Sequence, residues 1–105
     1  VREADGLAMS SRNTLLTAEQ RATSLAISKS LFASQEYAKN HTLAETKQMV
    51  EQAIADTEGL ELEYYEVVDG DTLQPVAEWA DAPYIVGCIT VYCGKVRLID
   101  NIRYK

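Results

Sequence analysis

The chain has 105 residues, 47% hydrophobic and 25% charged, with a formal net charge of −6. That length and balance suit one globular, soluble domain. The acidic total argues against a nucleic-acid partner, which asks for clustered Lys and Arg, and no run of 18 apolar residues offers a membrane span.

In chain order, Val1 to Leu16 has no clean hydrophobic period and reads as an extended loop with few apolar anchors. Within it the stretch DGLAMSSRN, Asp5 to Asn13, ends rich in donors. Gly6 and Ala8 keep the approach slim. Ser10 and Ser11 bring hydroxyls and backbone amides. Arg12 brings a planar guanidinium whose forked N–H groups match phosphate oxygens in pairs. Asn13 can hold the loop's shape by bonding its own backbone. Such a group suits a polyphosphate and the charge that develops at phosphorus during transfer. The same letters are also ordinary loop composition.

Thr17-Ala-Glu-Gln20 fits a capping box and predicts a helix over Ala18–Ala38, with Leu25, Leu31 and Phe32 on one side beside Ser24 and Ser28. Ile27 and Ala38 widen that stripe. Asn40 and His41 break the pattern, and His41, the only histidine, reads as a loop residue. Thr42-Leu-Ala-Glu45 is a second capping box. Its helix is expected to reach about Thr57, with Gly59 as the C-terminal cap. Leu43, Thr46, Val50, Ala53, Ile54 and Thr57 share its helical spacing.

The period then changes to two. Leu60, Leu62 and Tyr64 alternate with Glu61, Glu63 and Tyr65, a half-buried strand. Asp69-Gly-Asp71 turns the chain and is too short for a calcium loop. Thr72–Pro83 is irregular, with Trp79 expected to cover the core. Tyr84–Cys93 reads as a central strand, apolar on both faces, in which Gly87 marks a bulge or a close backbone approach. Cys93-Gly-Lys95 turns it into a hairpin with Val96–Ile99. The fold class is α+β: two helices on a small, about three-stranded antiparallel sheet with a C-terminal hairpin.

Two further features weigh on function. From Gln48 to Gly94 there are ten acidic residues and no Lys or Arg. This reads as a solvated face, with a partner surface or a metal site as the alternatives. Cys88 and Cys93 are five apart, which puts them on opposite faces of a strand. With no CxxC pair and no His cluster, zinc is disfavoured, and two unpaired thiols suit a reducing cytosol.

Val1-Arg-Glu-Ala-Asp-Gly-Leu-Ala-Met-Ser-Ser-Arg-Asn13 resembles the motif that enters the C-terminal domain of the pantothenate synthetases, or pantoate–β-alanine ligases. The likeness continues through Leu16-Thr-Ala-Glu-Gln-Arg21 and returns in Arg97-Leu-Ile-Asp-Asn101. The resemblance implies an enzyme that joins ATP and pantoate into pantoyl adenylate with Mg²⁺, then lets β-alanine displace AMP. It implies that residues 1–16 form a nucleotide-contacting interdomain loop and 17–105 a C-terminal lid. Met9, Ser10, Ser11 and Arg12 match the family's ATP-contacting segment, itself similar to the Lys-Met-Ser-Lys-Ser loop of class I aminoacyl-tRNA synthetases. Val1 matches a nucleotide-touching position. Ser10, Ser11 and Arg12 are the candidate catalytic residues.

No metal ligand is assigned to this chain. The partners implied are an N-terminal nucleotide-binding domain, which holds most of the Mg²⁺ site, and the substrates, in a cytoplasmic homodimer without nucleic acid or membrane. No His-rich phosphate motif or Gly-rich strand–turn–helix is present, and the first residue is not Met. The chain therefore reads as a C-terminal fragment, inactive alone and without a leader peptide. Arg97–Asn101 reads as structural, Leu98 and Ile99 packing, with a nucleotide role for Arg97 left open. The other reading is a stand-alone interaction or dimerisation module.

Overall fold

A computed structural model describes residues 6–7 and 11–105. Two helices, α1 (Ala18–Tyr37) and α2 (Leu43–Ala55), precede three strands, β1 (Leu60–Asp69), β2 (Ile85–Cys93) and β3 (Val96–Arg103). The strands form one antiparallel sheet in the order β1-β2-β3. Both helices pack against this sheet and each other, α2 chiefly on β1 and α1 on β3. The α+β architecture is the one expected. No helix among the described residues is long and apolar enough to cross a membrane.

Both helix starts follow their predicted caps. The Thr17 hydroxyl accepts from the Gln20 amide and the Gln20 side chain accepts from the Thr17 amide, each at 3.1 Å. Thr42 and Glu45 repeat the exchange at 3.1 and 2.9 Å. Two orphan amides are thereby satisfied at each helix start. The two backbone and side-chain bonds from Thr42 hold the Glu45 carboxyl below its ordinary pKa. Gly59 is not the C-terminal cap of α2. That position is Asp56, and Gly59, at φ +94°, turns the chain from helix to sheet.

The buried face of α1 differs from the predicted one. Ile27 and Leu31 are buried with Ser24, Ser28, Ser30 and Ser34, while Phe32 stays 44% exposed and Leu25 half-buried. The stripe that turns inward runs through Ile27 and Leu31 with the serines at 24, 28, 30 and 34, and Phe32, about 100° round the helix from Leu31, falls on its exposed side. The serines tolerate burial because each hydroxyl donates to a carbonyl of its own helix, at 2.6–3.1 Å.

In β1 the alternation changes phase. The register runs Leu62↔Val91 and then Tyr64↔Thr90, so Glu63 is an extra residue on that strand. After this bulge Tyr65 and Val67 point into the core and Tyr64 is 39% exposed, the reverse of the unbroken alternation expected. Gly87, on β2, is the close approach rather than the bulge. A Cβ there would stand 2.9 Å from Cε1 of the Tyr65 ring. The Tyr65 hydroxyl meets that of Tyr104, which meets Ser34 Oγ at 2.6 Å. Burial pushes both phenols above their ordinary range.

β2 is central, and the two-residue turn Gly94-Lys95 joins it to β3 with Gly94 at φ +61°. The hairpin is longer than predicted. Leu98 packs, but Ile99 lies 51% exposed on the helix-free face. Trp79 covers the core edge as expected, its Nε1 donating to the His41 carbonyl at 3.0 Å. His41 is a loop residue between the helices, stacked on Tyr37 at 3.6 Å. Cys93 is buried and Cys88 half-exposed, both as free thiols.

Candidate functional site

The segment expected as an extended loop contains a short 3-10 turn, Ser11–Leu15, which packs on β3. Two features of its sequence explain the turn. Leu16 donates its amide to the Asn13 carbonyl at 3.2 Å, closing a tight 3-10 ring. Leu16 packs against the core, while Leu15, one position earlier, is 66% exposed.

Arg12 stands on this turn, exposed, and its Nη1 donates to the Arg97 carbonyl at 3.4 Å. β3 is an edge strand, so some of its carbonyls point away from the sheet and accept from side chains. Gln35 Nε2 treats the Arg103 carbonyl the same way, at 2.8 Å. Arg12 therefore lies along the outer edge of the sheet. Asn13, next to it, is only 7% exposed. The loop-shaping residue of the sequence reading is thus a buried anchor.

Gly6 and Leu7 supply a second anchor. Gly6, at φ +95°, lies beside α1, where a Cβ on it would make ordinary contact with Ser28 Oγ at 3.6 Å, so its backbone angle rather than crowding favours glycine there. Leu7 is 3% exposed. With Leu7 and Asn13 buried, the segment hides more side-chain surface than its composition promised.

The other predicted site residues divide as follows. Val1, Met9 and Ser10 lie outside the described residues, and so does the side chain of Ser11, whose backbone opens the turn. Arg97 directs its own guanidinium elsewhere. Its Nη2 donates to Glu63 Oε2 at 2.8 Å and its Nε to Oε1 at 3.4 Å, while the Tyr92 hydroxyl donates to the same Oε1 at 3.0 Å. Arg97 first, then Tyr92, holds the Glu63 carboxyl below its ordinary pKa. This pair spans the end of the sheet from β1 to β3.

The acidic tract shows no common site. Glu63 serves Arg97. Asp69 accepts from the Asp71 and Thr72 amides at 2.8 and 3.2 Å, and Asp81 from the Ala77 and Glu78 amides at 2.9 and 3.0 Å. Among the described residues no three His, Cys, Asp or Glu side chains gather as a metal-binding group. A cavity of about 390 Å³ lies among Gln35, Lys39, Trp79, Arg103, Tyr104 and Lys105, without Arg12 among its lining residues.

Sequence reasoning missed the Leu7 and Asn13 anchors and the Arg97 carbonyl. The serine run on α1 carried the one available signal, since a buried face so slender leaves room for another segment.

The family model for pantoate-β-alanine ligase matches residues 1–103. The pantothenate synthetase of Bacteroides thetaiotaomicron is 61% identical over all 105 residues, which make up 37% of that protein. That of Bacteroides fragilis is 60% identical over the same span. The chain thus spans little more than a third of the length of the curated relatives it matches. Among solved structures, the pantothenate synthetase of Thermus thermophilus superimposes with a TM-score of 0.88 at 32% identity, over 99% of this chain and 37% of that one. A Francisella tularensis pantoate-β-alanine ligase, complexed with β-γ ATP and β-alanine, gives 0.55 at 23% identity over 99% of this chain and 31% of its own, a likeness of fold alone. With the family model spanning nearly the whole chain and relatives this similar along all of it, the chain belongs to the pantoate-β-alanine ligase family.

Proposed function

We propose that the chain is the C-terminal lid of an ATP-dependent ligase that makes pantothenate, and that Arg12 is its phosphate contact. The carrying observation is the family match over residues 1–103, with the Bacteroides thetaiotaomicron pantothenate synthetase identical at 61% of positions. In the reaction proposed, a pantoate carboxylate oxygen attacks the α-phosphorus of ATP and pyrophosphate leaves. The β-alanine amine then attacks the carbonyl of the resulting adenylate, loses a proton and expels AMP.

Arg12 suits the first step. It is exposed on a short turn at the sheet edge, and it donates to a neutral carbonyl at a long 3.4 Å. Charge-assisted bonds to phosphate are shorter and roughly twice as strong, so a phosphate in reach would draw the guanidinium off that carbonyl. ATP enters this reading through the family and through the ligand of the Francisella structure. Ser10, Ser11, Met9 and Val1 are assigned to the same nucleotide by their match to the family's segment.

Mg²⁺ does not fit the described residues. Their acidic side chains form no metal-binding group, and Asp69 and Asp81 are engaged by turn amides. The ion is therefore assigned to the remainder of the enzyme. The fragment alone is expected to be inactive, and the full enzyme a cytoplasmic homodimer.

The test uses the full-length enzyme that carries this chain and measures pantoate-dependent exchange of pyrophosphate into ATP beside a thermal melt. Arg12→Ala should slow exchange about a hundredfold while the melt stays close to wild type, as for the loss of one preorganised donor worth ~3 kcal/mol. Arg12→Lys should recover only part, since the ammonium keeps the charge and loses the fork. Wild-type exchange by Arg12→Ala would remove Arg12 from the site.

A further inference from the structure

We infer that Leu15 is an apolar contact between this chain and the nucleotide-holding part of the same enzyme, seated beside the phosphates that Arg12 meets. The inference rests on the lid reading proposed above and adds a residue which that reading does not use. The turn Ser11–Leu15 is a 3-10 helix, three residues to a turn, so side chains three apart eclipse one another. Asn13 and Leu16 share the inward side: Asn13 is 7% exposed, Leu16 packs against the core, and the Leu16 amide donates to the Asn13 carbonyl at 3.2 Å. Arg12 and Leu15 share an outward side, and both are exposed.

The inward side fixes the outward one. Rolling the turn to bury Leu15 would bring Asn13 and Leu16 out of their seats, and would pull the Arg12 Nη1 from the Arg97 carbonyl. A single exposed leucine is ordinary on a protein surface. Leu73, on the connection after β1, is as exposed as Leu15, both at 66%. What sets Leu15 apart is that it projects alongside the guanidinium assigned to ATP. Whatever brings a phosphate within reach of Arg12 therefore comes close to Leu15 as well.

The occupant is the remainder of the enzyme. The chain makes up 37% of the length of its Bacteroides thetaiotaomicron relative, and the described residues gather no metal-binding group to hold a metal-bound nucleotide. The nucleotide is thus held by the rest of that length, which arrives at Arg12 with it. A leucine recognises an apolar surface, because contact there removes both from water. Closure of the lid brings Arg12 and Leu15 down together. The arginine meets charge, and the leucine supplies binding free energy for the closure that carries the arginine in.

The experiment uses the full-length enzyme in pantoate-dependent pyrophosphate–ATP exchange, with a thermal melt of each variant. Leu15→Ser should lower kcat/KM for ATP by about tenfold to a hundredfold, the factor that burying one leucine is worth, and Leu15→Met should recover most of it. Leu73→Ser, equally exposed but away from the turn, should stay within about twofold of wild type. A second readout is independent of rate: alkylation by N-ethylmaleimide of Leu15→Cys and Leu73→Cys, followed by mass spectrometry of the modified peptide. Adding Mg-ATP and pantoate should slow alkylation at position 15 and leave position 73 unchanged. Leu15→Ser at the wild-type rate beside a slow Arg12→Ala, or alkylation at position 15 indifferent to substrates, would overturn this inference and leave the phosphate role standing. Arg12→Ala at the wild-type rate beside a slow Leu15→Ser and a protected position 15 would keep the contact and remove the phosphate role.

Discussion

α1 and α2 start with the same device, a threonine hydroxyl closing the first turn and a Gln or Glu reaching back, yet they bury different kinds of surface. α2 buries Leu43, Val50 and Ile54 with Thr46. α1 buries four serines beside Ile27 and Leu31. The first is a core element, held by the apolar area it removes from water. The second is in large part a bed. Its short side chains let other parts of the chain come close: the Gly6 backbone at Ser28, and the Tyr104 hydroxyl at Ser34. The difference teaches that a helix of weak amphipathicity can still be fully used, when its short side chains leave room for what packs on it.

The largest effect that would sharpen this contrast is truncation in α2. Ile54 is fully buried, so Ile54→Ala should cost about 2–5 kcal/mol in chemical denaturation, whereas Ser24→Ala, which removes a hydroxyl bonded to its own helix, should cost less than about 1 kcal/mol. Equal losses would break the division into core and bed.

Next in size is filling the bed. Ser24→Leu adds methylenes where nothing can move aside and should destabilise by about 1–3 kcal/mol, the opposite of what added apolar volume does on a helix that merely lacks grease. A raised Tm would show that α1 has spare room and that its serines are incidental.

The smallest effect separates the caps. Glu45 in the α2 box titrates and Gln20 in the α1 box does not. The folded-state pKa of Glu45 is lowered, so its contribution is present above the ordinary carboxylate pKa and is lost as pH falls through the folded value. Glu63, lowered by Arg97, follows the same sign. Acidification below about pH 4.5 should therefore weaken the start of α2 before that of α1, read as faster exchange of the Thr42 amide, which donates to the Glu45 carboxylate, than of the Thr17 amide after correction for intrinsic rates. Thr17 and Thr42 replaced by Ala should each cost about 1 kcal/mol, but only the Thr42→Ala loss should shrink in acid. A pH-independent α2 start would refute the Glu45 assignment.

Much of the fold was legible because it is local. The two boxes, the glycine at the β2–β3 turn, the Asp69 turn and the doubly apolar β2 all express preferences set within a few residues. The family motif was legible for a different reason: thirteen residues at the start spell it directly. Less of the site was readable. Arg12 was picked out by its fork of donors, but one group it meets is a backbone carbonyl, which leaves no mark among the letters of β3.

The sequence by itself determined where the helices begin, that the chain is α+β, which strand is central and which segment resembles a nucleotide-contacting loop. Each of these is a matter of near neighbours or of a contiguous motif. Tertiary structure alone decided which stripe of α1 turns inward, the phase of β1 after the Glu63 bulge, and the burial of Leu7 and Asn13. It also decided the meeting of Arg12 with the Arg97 carbonyl, 85 residues away. The physical reason is common to all of them. Locally, Leu31 and Phe32, or Tyr64 and Tyr65, are nearly equal candidates for the core, and only the surface that arrives from elsewhere in the chain breaks the tie.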